Sequence, residues 1–369
     1  MALVAWLVEH HLVMSDFAQK RDVGDPKTVA AFVRIVENPE RMRLLLVLTV
    51  ADIRAVGPGV WNGWKGQLMR ELYNGSEAIF RGGRNGADPA AHFRADQRAA
   101  AKAARDRLFA LQGEAAEVRT WAGEMEDAYF TAFPPEEVAA HFALTRRAKT
   151  EGGAAAQAQL RGDRNVSEIA VAALDRRGLF GELAATISGF GANVVGARVY
   201  TSTAGQALDV FQVQDSSGAP VGCHNPAVLT RLADALAATA RGQAPKYETR
   251  KAPELGRASA FNVLPSVAVD NEASDYATVV EVSGRDRPGL LEALTRTISE
   301  AELSIHSAHV DGYGERAVDA FYVVEADGGK LKDAKRMTAL KTALHEVLTE
   351  AEKAAPKQRM QRARASVAR

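Results

Sequence analysis

One thirteen-residue phrase occurs nearly twice in this chain. "DRRGLFGELAATI" runs from Asp175 to Ile187 and "DRPGLLEALTRTI" from Asp286 to Ile298, and seven of the thirteen positions are identical. An internal repeat constrains a fold more than composition does, because both copies must solve the same packing problem. Each copy follows a short β-rich run, "SEIAVAALD" or "YATVVEVSGRD", and leads through an Asp-Arg-x-Gly turn into a helical pattern. Leu179, Leu183 and Ile187 lie four apart on one helix face, and Leu290, Leu294 and Ile298 repeat the arrangement.

The repeat continues beyond the turn. "ANVVGARVYTSTAGQALDVFQVQD" and "LSIHSAHVDGYGERAVDAFYVVEAD" each read as a strand, a glycine-containing turn and an alternating strand, which is a hairpin. At the offset of 111 residues Asn193 aligns with Ser304 and Val199 with Val310, whereas Asp209 and Asp319 are 110 apart, so one residue is lost in the hairpin turn. A helix follows in "NPAVLTRLADALAATA" and in "KRMTALKTALHEVLTEAEKA". A closing strand for the first unit is expected in "AFNVLPSVAVDN"; the second unit has no clear equivalent before the sequence ends. The order β-α-β-β-α-β is that of a ferredoxin-like α+β sandwich.

Upstream, the sequence reads as helices. "DPKTVAAFVRIVEN" opens with Asp25-Pro26 as cap and first position. "PERMRLLLVLTVADIRAVGPG" starts at Pro39 and breaks at Gly57-Pro58-Gly59. "AHFRADQRAAAKAARDRLFALQGEAAEVRTWAGEMEDAYFTAF" is one long helical pattern, and Pro134-Pro135 followed by acids opens another helix. "TEGGAAAQAQLRGDRN", Thr150 to Asn165, is expected to be a linker. The divisions are therefore a helical segment 1–73, a helical connector and linker 74–165, a first unit 166–272, a second unit 276–352 and a basic tail 353–369. The tail holds six Lys/Arg and no acid, and reads as a solvated end. The opening "MALVAWLVEHH" enters helix-like sequence with no capping lead-in, which points to a start inside a larger domain.

Lys+Arg and Asp+Glu both number 46, so no global charge favours nucleic acid as a partner. The opening apolar run is eight residues, without a basic leader and too short to be a signal peptide or to span a membrane. The single cysteine, Cys223, has no disulfide partner in the chain, which fits a reducing compartment. Together these point to a cytoplasmic protein that uses neither nucleic acid nor membrane.

The turns carry the chemistry of a small zwitterion. A strand that enters a helix through glycine presents backbone N–H groups at the helix N-terminus, which favour a carboxylate. Gly178 and Gly289 allow close approach. Asp175 and Asp286 could cap the following helix or hold a ligand's ammonium. The plainer alternative is a tight turn that binds nothing. In the first half, His10 and His11 lie on a helix and Asp52 sits inside an apolar helix; they could form a divalent-metal group or a structural His–Asp hydrogen bond.

The stretches "DRRGLFGELAATISGFGANVVGARV" and "DRPGLLEALTRTISEAELSIHSAHV" resemble ACT domains, small regulatory modules that bind amino acids. That resemblance implies ligand contacts at Asp175, Arg176, Gly178, Leu179 and Asn193, and at Asp286, Arg287, Gly289, Leu290 and Ser304. The copies differ at Arg177, which stands where the second has Pro288. With "LVAWLVEHHLVMSDFAQKRDVGDP" and "LLLVLTVADIRAVGPGVWNGWKGQLMRELY" included, nearly the whole chain resembles the bifunctional PII uridylyltransferase/uridylyl-removing enzymes. The resemblance implies a partial all-helical HD-like domain ahead of two ACT domains, an α+β chain overall. It also implies glutamine as effector, PII protein as partner, and Mg or Mn at a metal site that includes His11, His10 and Asp52, with His11 and Asp52 catalytic. No Gly-Ser turn with paired acids precedes the helices, and the upstream His and His-Asp pair of an HD donor set are missing. The chain therefore reads as the C-terminal portion of such an enzyme, without its transferase domain. The alternatives are a stand-alone amino-acid-binding regulator and a folded remnant with neither activity.

Overall fold

The computed structural model describes residues 2–56, 61, 63–82, 88–243, 263–287, 289–313 and 316–349. The Gly57-Pro58-Gly59 break, Pro288 and the basic tail lie outside these residues.

The first half is helical: α1 (Ala2–His10), α2 (Val13–Lys20), α3 (Pro26–Val36), α4 (Pro39–Val56), α5 (Gly63–Gly82), α6 (Pro89–Gln112), α7 (Ala116–Glu124), α8 (Asp127–Ala132) and α9 (Pro135–Thr150). Residue 73, the expected end of the first segment, falls inside α5. α3 begins as its sequence dictates: the Asp25 carboxylate accepts from Lys27 N–H at 2.8 Å, and Pro26 occupies the first turn, where its missing N–H costs nothing. The long pattern at 91–133 is not one helix but three. It breaks at Gly113, whose φ is 77°, and again at Met125–Glu126, where the backbone is extended. Met14, Phe32, Met42, Leu45, Met69 and Leu72 form the core of α2–α5.

The second half holds two four-stranded antiparallel sheets. Their strands are β1 (Ala154–Arg161), β2 (Val166–Leu174), β3 (Ala192–Thr201) and β4 (Gln206–Asp215) in the order β1-β2-β4-β3, and β5 (Ser266–Asp270), β6 (Thr278–Arg285), β7 (Ser304–Tyr313) and β8 (Arg316–Val324) in the order β5-β6-β8-β7. The helices α10 (Leu179–Gly189), α11 (Pro226–Ala240), α12 (Leu290–Glu300) and α13 (334–349) complete the units. The ferredoxin-like α+β architecture stands, but the source of one strand in each sheet differs from the expectation. The segment 150–165, expected as a linker, contributes β1, which pairs with β2 along its full length. Its alanines lack the bulk that marks a strand in sequence, yet Ala154 and Ala155 are fully buried because small side chains let α9 and α11 approach closely. The strand in "AFNVLPSVAVDN", expected to close the first sheet, is β5 and pairs with β6 of the second. Each unit thus takes its outer strand from the residues before it, and the second unit needs none after α13.

The two units form one body. β3 runs against β7 and α10 against α12, and a single apolar cluster includes Leu183, Ile187 and Phe211 of the first with Leu294, Ile298 and Phe321 of the second. A Cβ on Gly181 would stand 2.7 Å from Thr295 Oγ1, so this helix pairing requires glycine there. The helical half covers the opposite sheet faces. Ala170, Ala172, Leu208 and Val210 share a cluster with Trp121, Tyr129 and Phe142. At the second sheet, Tyr276, just before β6, donates its Oη to Asp22 Oδ2 at 2.9 Å, and Arg21 Nε lies 2.8 Å from Glu281 Oε1 of β6.

Candidate functional site

The strand-to-helix turn of the first unit is built by its backbone. Asp175 N–H donates to the Gly205 carbonyl at 2.9 Å, which ties the turn to the tip of the β3–β4 hairpin. Gly178 then takes φ 82° and starts α10; Gly289, with φ 78°, starts α12 in the same way. An L side chain is strained in this left-handed region, so glycine is required at both positions. Neither helix has a side-chain cap. The expectation that Asp175 and Asp286 cap the helices is therefore corrected: glycine itself is the cap residue, and the acids sit three positions earlier. The first-turn amides thus keep the partial positive charge that attracts an anion.

Around the first turn the structure gathers Asp175, Arg176, Gly178 and Leu179 with Ser304 of the second unit, in a cleft that Thr295 and Ser299 of α12 also line. Five of the ten residues expected at ligand sites thus share one cleft, and it spans both units. Its volume is ≈ 30 Å³, about one water's share of liquid. An amino acid enters only if α10 and α12, or the Arg176–Arg177 loop, move apart. The Arg176 guanidinium is held by Glu182, with Nη1 2.7 Å from Oε1, and Asp175 Oδ2 accepts from Thr201 Oγ1 at 3.4 Å.

The other expected residues are arranged differently. Asn193 is exposed on β3. At the second turn Leu290 is buried, and Arg287 Nη2 lies 3.5 Å from the Val347 carbonyl of α13, with its Nε unpartnered. Asp286 opens to solvent, although crowding by the protein pushes its carboxyl above the ordinary range against the pull of the Arg287 N–H.

Asp209, on β4, is the counterpart of Asp319 in the repeat and lines the first-turn cleft at 2% exposure. Burial, with the charge of Asp175 adding to it, pushes its carboxyl up to about 8. The signal was legible: in "QALDVFQV" alternation places Asp209 on the same strand face as Phe211, which is the core face.

A larger cavity, ≈ 260 Å³, lies where the helical half meets β3 and β7; Arg198, Tyr200, His306 and His309 line it with Glu71 and Glu126. Arg198 donates to Glu71 Oε2 at 2.6 Å and to the Ala132 carbonyl at 3.0 Å. Burial works against a charge on His306, but Glu126, 3.6 Å away, outweighs it and holds the imidazole above its usual range. None of these residues carries a sequence motif.

Of the candidate metal residues, His10 ends α1 and Asp52 lies on α4, but His11, expected on the helix, falls in the turn between α1 and α2; Thr49 Oγ1 donates to the His11 carbonyl at 3.4 Å, which sets α4 beside that turn. His10 Nδ1 is 3.0 Å from the Trp6 carbonyl and His11 Nδ1 2.8 Å from that of Val8, so each ring has one nitrogen engaged by a carbonyl of α1. Asp52 is exposed. Among the described residues no three His, Cys, Asp or Glu side chains converge as a metal-holding group. His10, His11 and Asp52 therefore do not form a closed donor set by themselves. Among the described residues, too, no helix is long and apolar enough to cross a membrane.

Residues 278–336, the second unit from β6 into α13, match the ACT domain family. Over its whole length the chain is 61% identical to the "Bifunctional uridylyltransferase/uridylyl-removing enzyme" of Caulobacter vibrioides (strain NA1000 / CB15N), of which it covers 39%. It is 64% identical to the enzyme of that name from Phenylobacterium zucineum (strain HLK1), again covering 39%. This chain matches part of a bifunctional uridylyltransferase/uridylyl-removing enzyme. With the Azospirillum brasilense protein of this family identity is 41%, over 94% of this chain and 37% of the relative. The chain thus spans under half the length of these relatives, and the match runs over both sheet units and the helices that cover them.

Proposed function

We propose that this chain is the amino-acid-sensing part of an enzyme that uridylylates and deuridylylates PII protein, with glutamine as the effector. The observation that carries the reading is the first-turn cleft, in which an uncapped helix N-terminus of one ACT unit faces Ser304 of the other. A ligand there would have to change the spacing of α10 and α12. Because the reverse faces of the same sheets hold the helical half, that change would reach helices α2 to α9 as a shift between two packed states. Calorimetry of the full chain with L-glutamine at several millimolar tests the reading. Saturable heat that weakens with Asp175→Ala is expected; absence of heat and of a thermal shift would remove glutamine as the effector.

The hydrolytic activity in the relatives' name belongs, in this reading, to the whole enzyme. His10, His11 and Asp52 leave a donor set incomplete, so the chain alone with Mg or Mn is expected to give no phosphodiester hydrolysis above background. Turnover that is lost in Asp52→Ala would contradict this.

A further inference from the structure

Asp209 is buried where a carboxylate has little to gain from folding. It sits on β4 opposite Val171 and Val199, and its Oδ1 has no hydrogen-bond partner. The charged groups that line its cleft are Asp175, Arg176 and Arg177 of the turn; α12 and β7 contribute the uncharged Thr295, Ser299 and Ser304. Arg176 is engaged by Glu182, and Asp175 adds a second negative charge. A buried carboxylate without a cation is costly and is commonly retained for a task. The second unit repeats the placement: Asp319 lies on β8 opposite Val282 and Val310, at 3% exposure.

We propose that Asp209 is the buried counter-ion for the ammonium group of an amino acid bound in the first-turn cleft, whose carboxylate lies over the uncapped first turn of α10. The proposal rests on the amino-acid-sensing reading above and adds to it the group that recognises the amine. Asp175 at the rim opposes a second negative charge on Asp209 beneath it while the cleft is empty, and one ligand cation placed between them removes that opposition. In the empty protein at neutral pH Asp209 carries a proton. The ligand arrives as an ammonium ion, the Asp209 carboxyl ionises to pair with it, and the displaced proton passes to the solvent. Binding of the amino acid and release of one proton are then a single event.

The test is calorimetric titration of the full chain with L-glutamine at pH 7 in phosphate and in Tris at matched ionic strength. These buffers differ in ionisation enthalpy, so proton release appears as a difference in apparent heat. The expected result is close to one proton released per first-turn site filled. Asp209→Asn, which imitates the neutral carboxyl and so preserves the fold, should abolish that release and weaken binding at least tenfold. Heats that agree in both buffers, or an Asp209→Asn variant with unchanged affinity and proton release, would overturn the proposal and leave the sensing reading intact. No heat in either buffer would overturn both.

Discussion

Gly178 and Gly289 fix the geometry of the two strand-to-helix turns. Replacing Gly178 with alanine forces a Cβ into the left-handed region and should cost about 1–2 kcal/mol in chemical denaturation. Asp209 makes a prediction of opposite sign. Its carboxyl is raised, so the folded state binds more protons than the unfolded state between the ordinary carboxylate range and about pH 8. Stability is therefore lost as pH rises through that window. Asp209→Asn should raise Tm at pH 8 and do so less at pH 5; an equal effect at both would show that the carboxyl is not desolvated. His141 answers to acid instead. It is 2% exposed, its Nδ1 lies 3.1 Å from Tyr129 Oη, and burial lowers its pKa to about 4. The unfolded chain takes up the proton first, so His141 should withdraw about 3 kcal/mol of stability as pH falls from 6.5 to 4. His141→Gln should flatten that limb of the denaturation profile.

At the scale of elements, the Asp25 cap of α3, the two turn glycines and the repeated hairpins were legible because each rests on local chemistry within a few residues, whereas the acids at 175 and 286 look like caps and are not. The outer strands were not. β1 is nearly all alanine and glutamine, and what makes it a strand is the pairing with β2 and the close approach of α9 and α11, contacts that no local pattern encodes. β5 was legible as a strand but not as a member of the second sheet, since alternation says that a segment pairs and not with which neighbour. The β1–β2 hairpin is further locked by ions. Glu168 is 2% exposed and accepts from Arg161 Nη2 at 2.8 Å and Gln159 Nε2 at 3.0 Å, while Arg161 also reaches Glu137 of α9. Burial opposes its charge, but these partners hold the carboxyl below the usual range. Arg164 Nη1 also donates to Glu168 Oε2 at 3.3 Å, and both guanidinium groups keep Glu137 as a second partner. Glu168→Ala should therefore destabilise the chain by about 1.5–3 kcal/mol, the loss of charge-assisted hydrogen bonds; a loss under about 0.5 kcal/mol in urea denaturation would show that Glu137 alone satisfies both arginines.

At the scale of the molecule, the candidate site was half legible. The motif marked both turns, but it could not show that Ser304 of one unit completes the cleft of the other, or that Asp209 lies beneath it, because those contacts come from the pairing of α10 with α12 and β3 with β7. That pairing makes the central claim testable as a whole: one amino-acid site shared by two ACT units. Hydrogen exchange of the full chain with and without saturating L-glutamine measures it most directly. The account predicts coupled changes in exchange at 175–183 and at 295–305, in the same ligand concentration range. Binding that alters exchange at 175–183 and leaves 295–305 unchanged would contradict it.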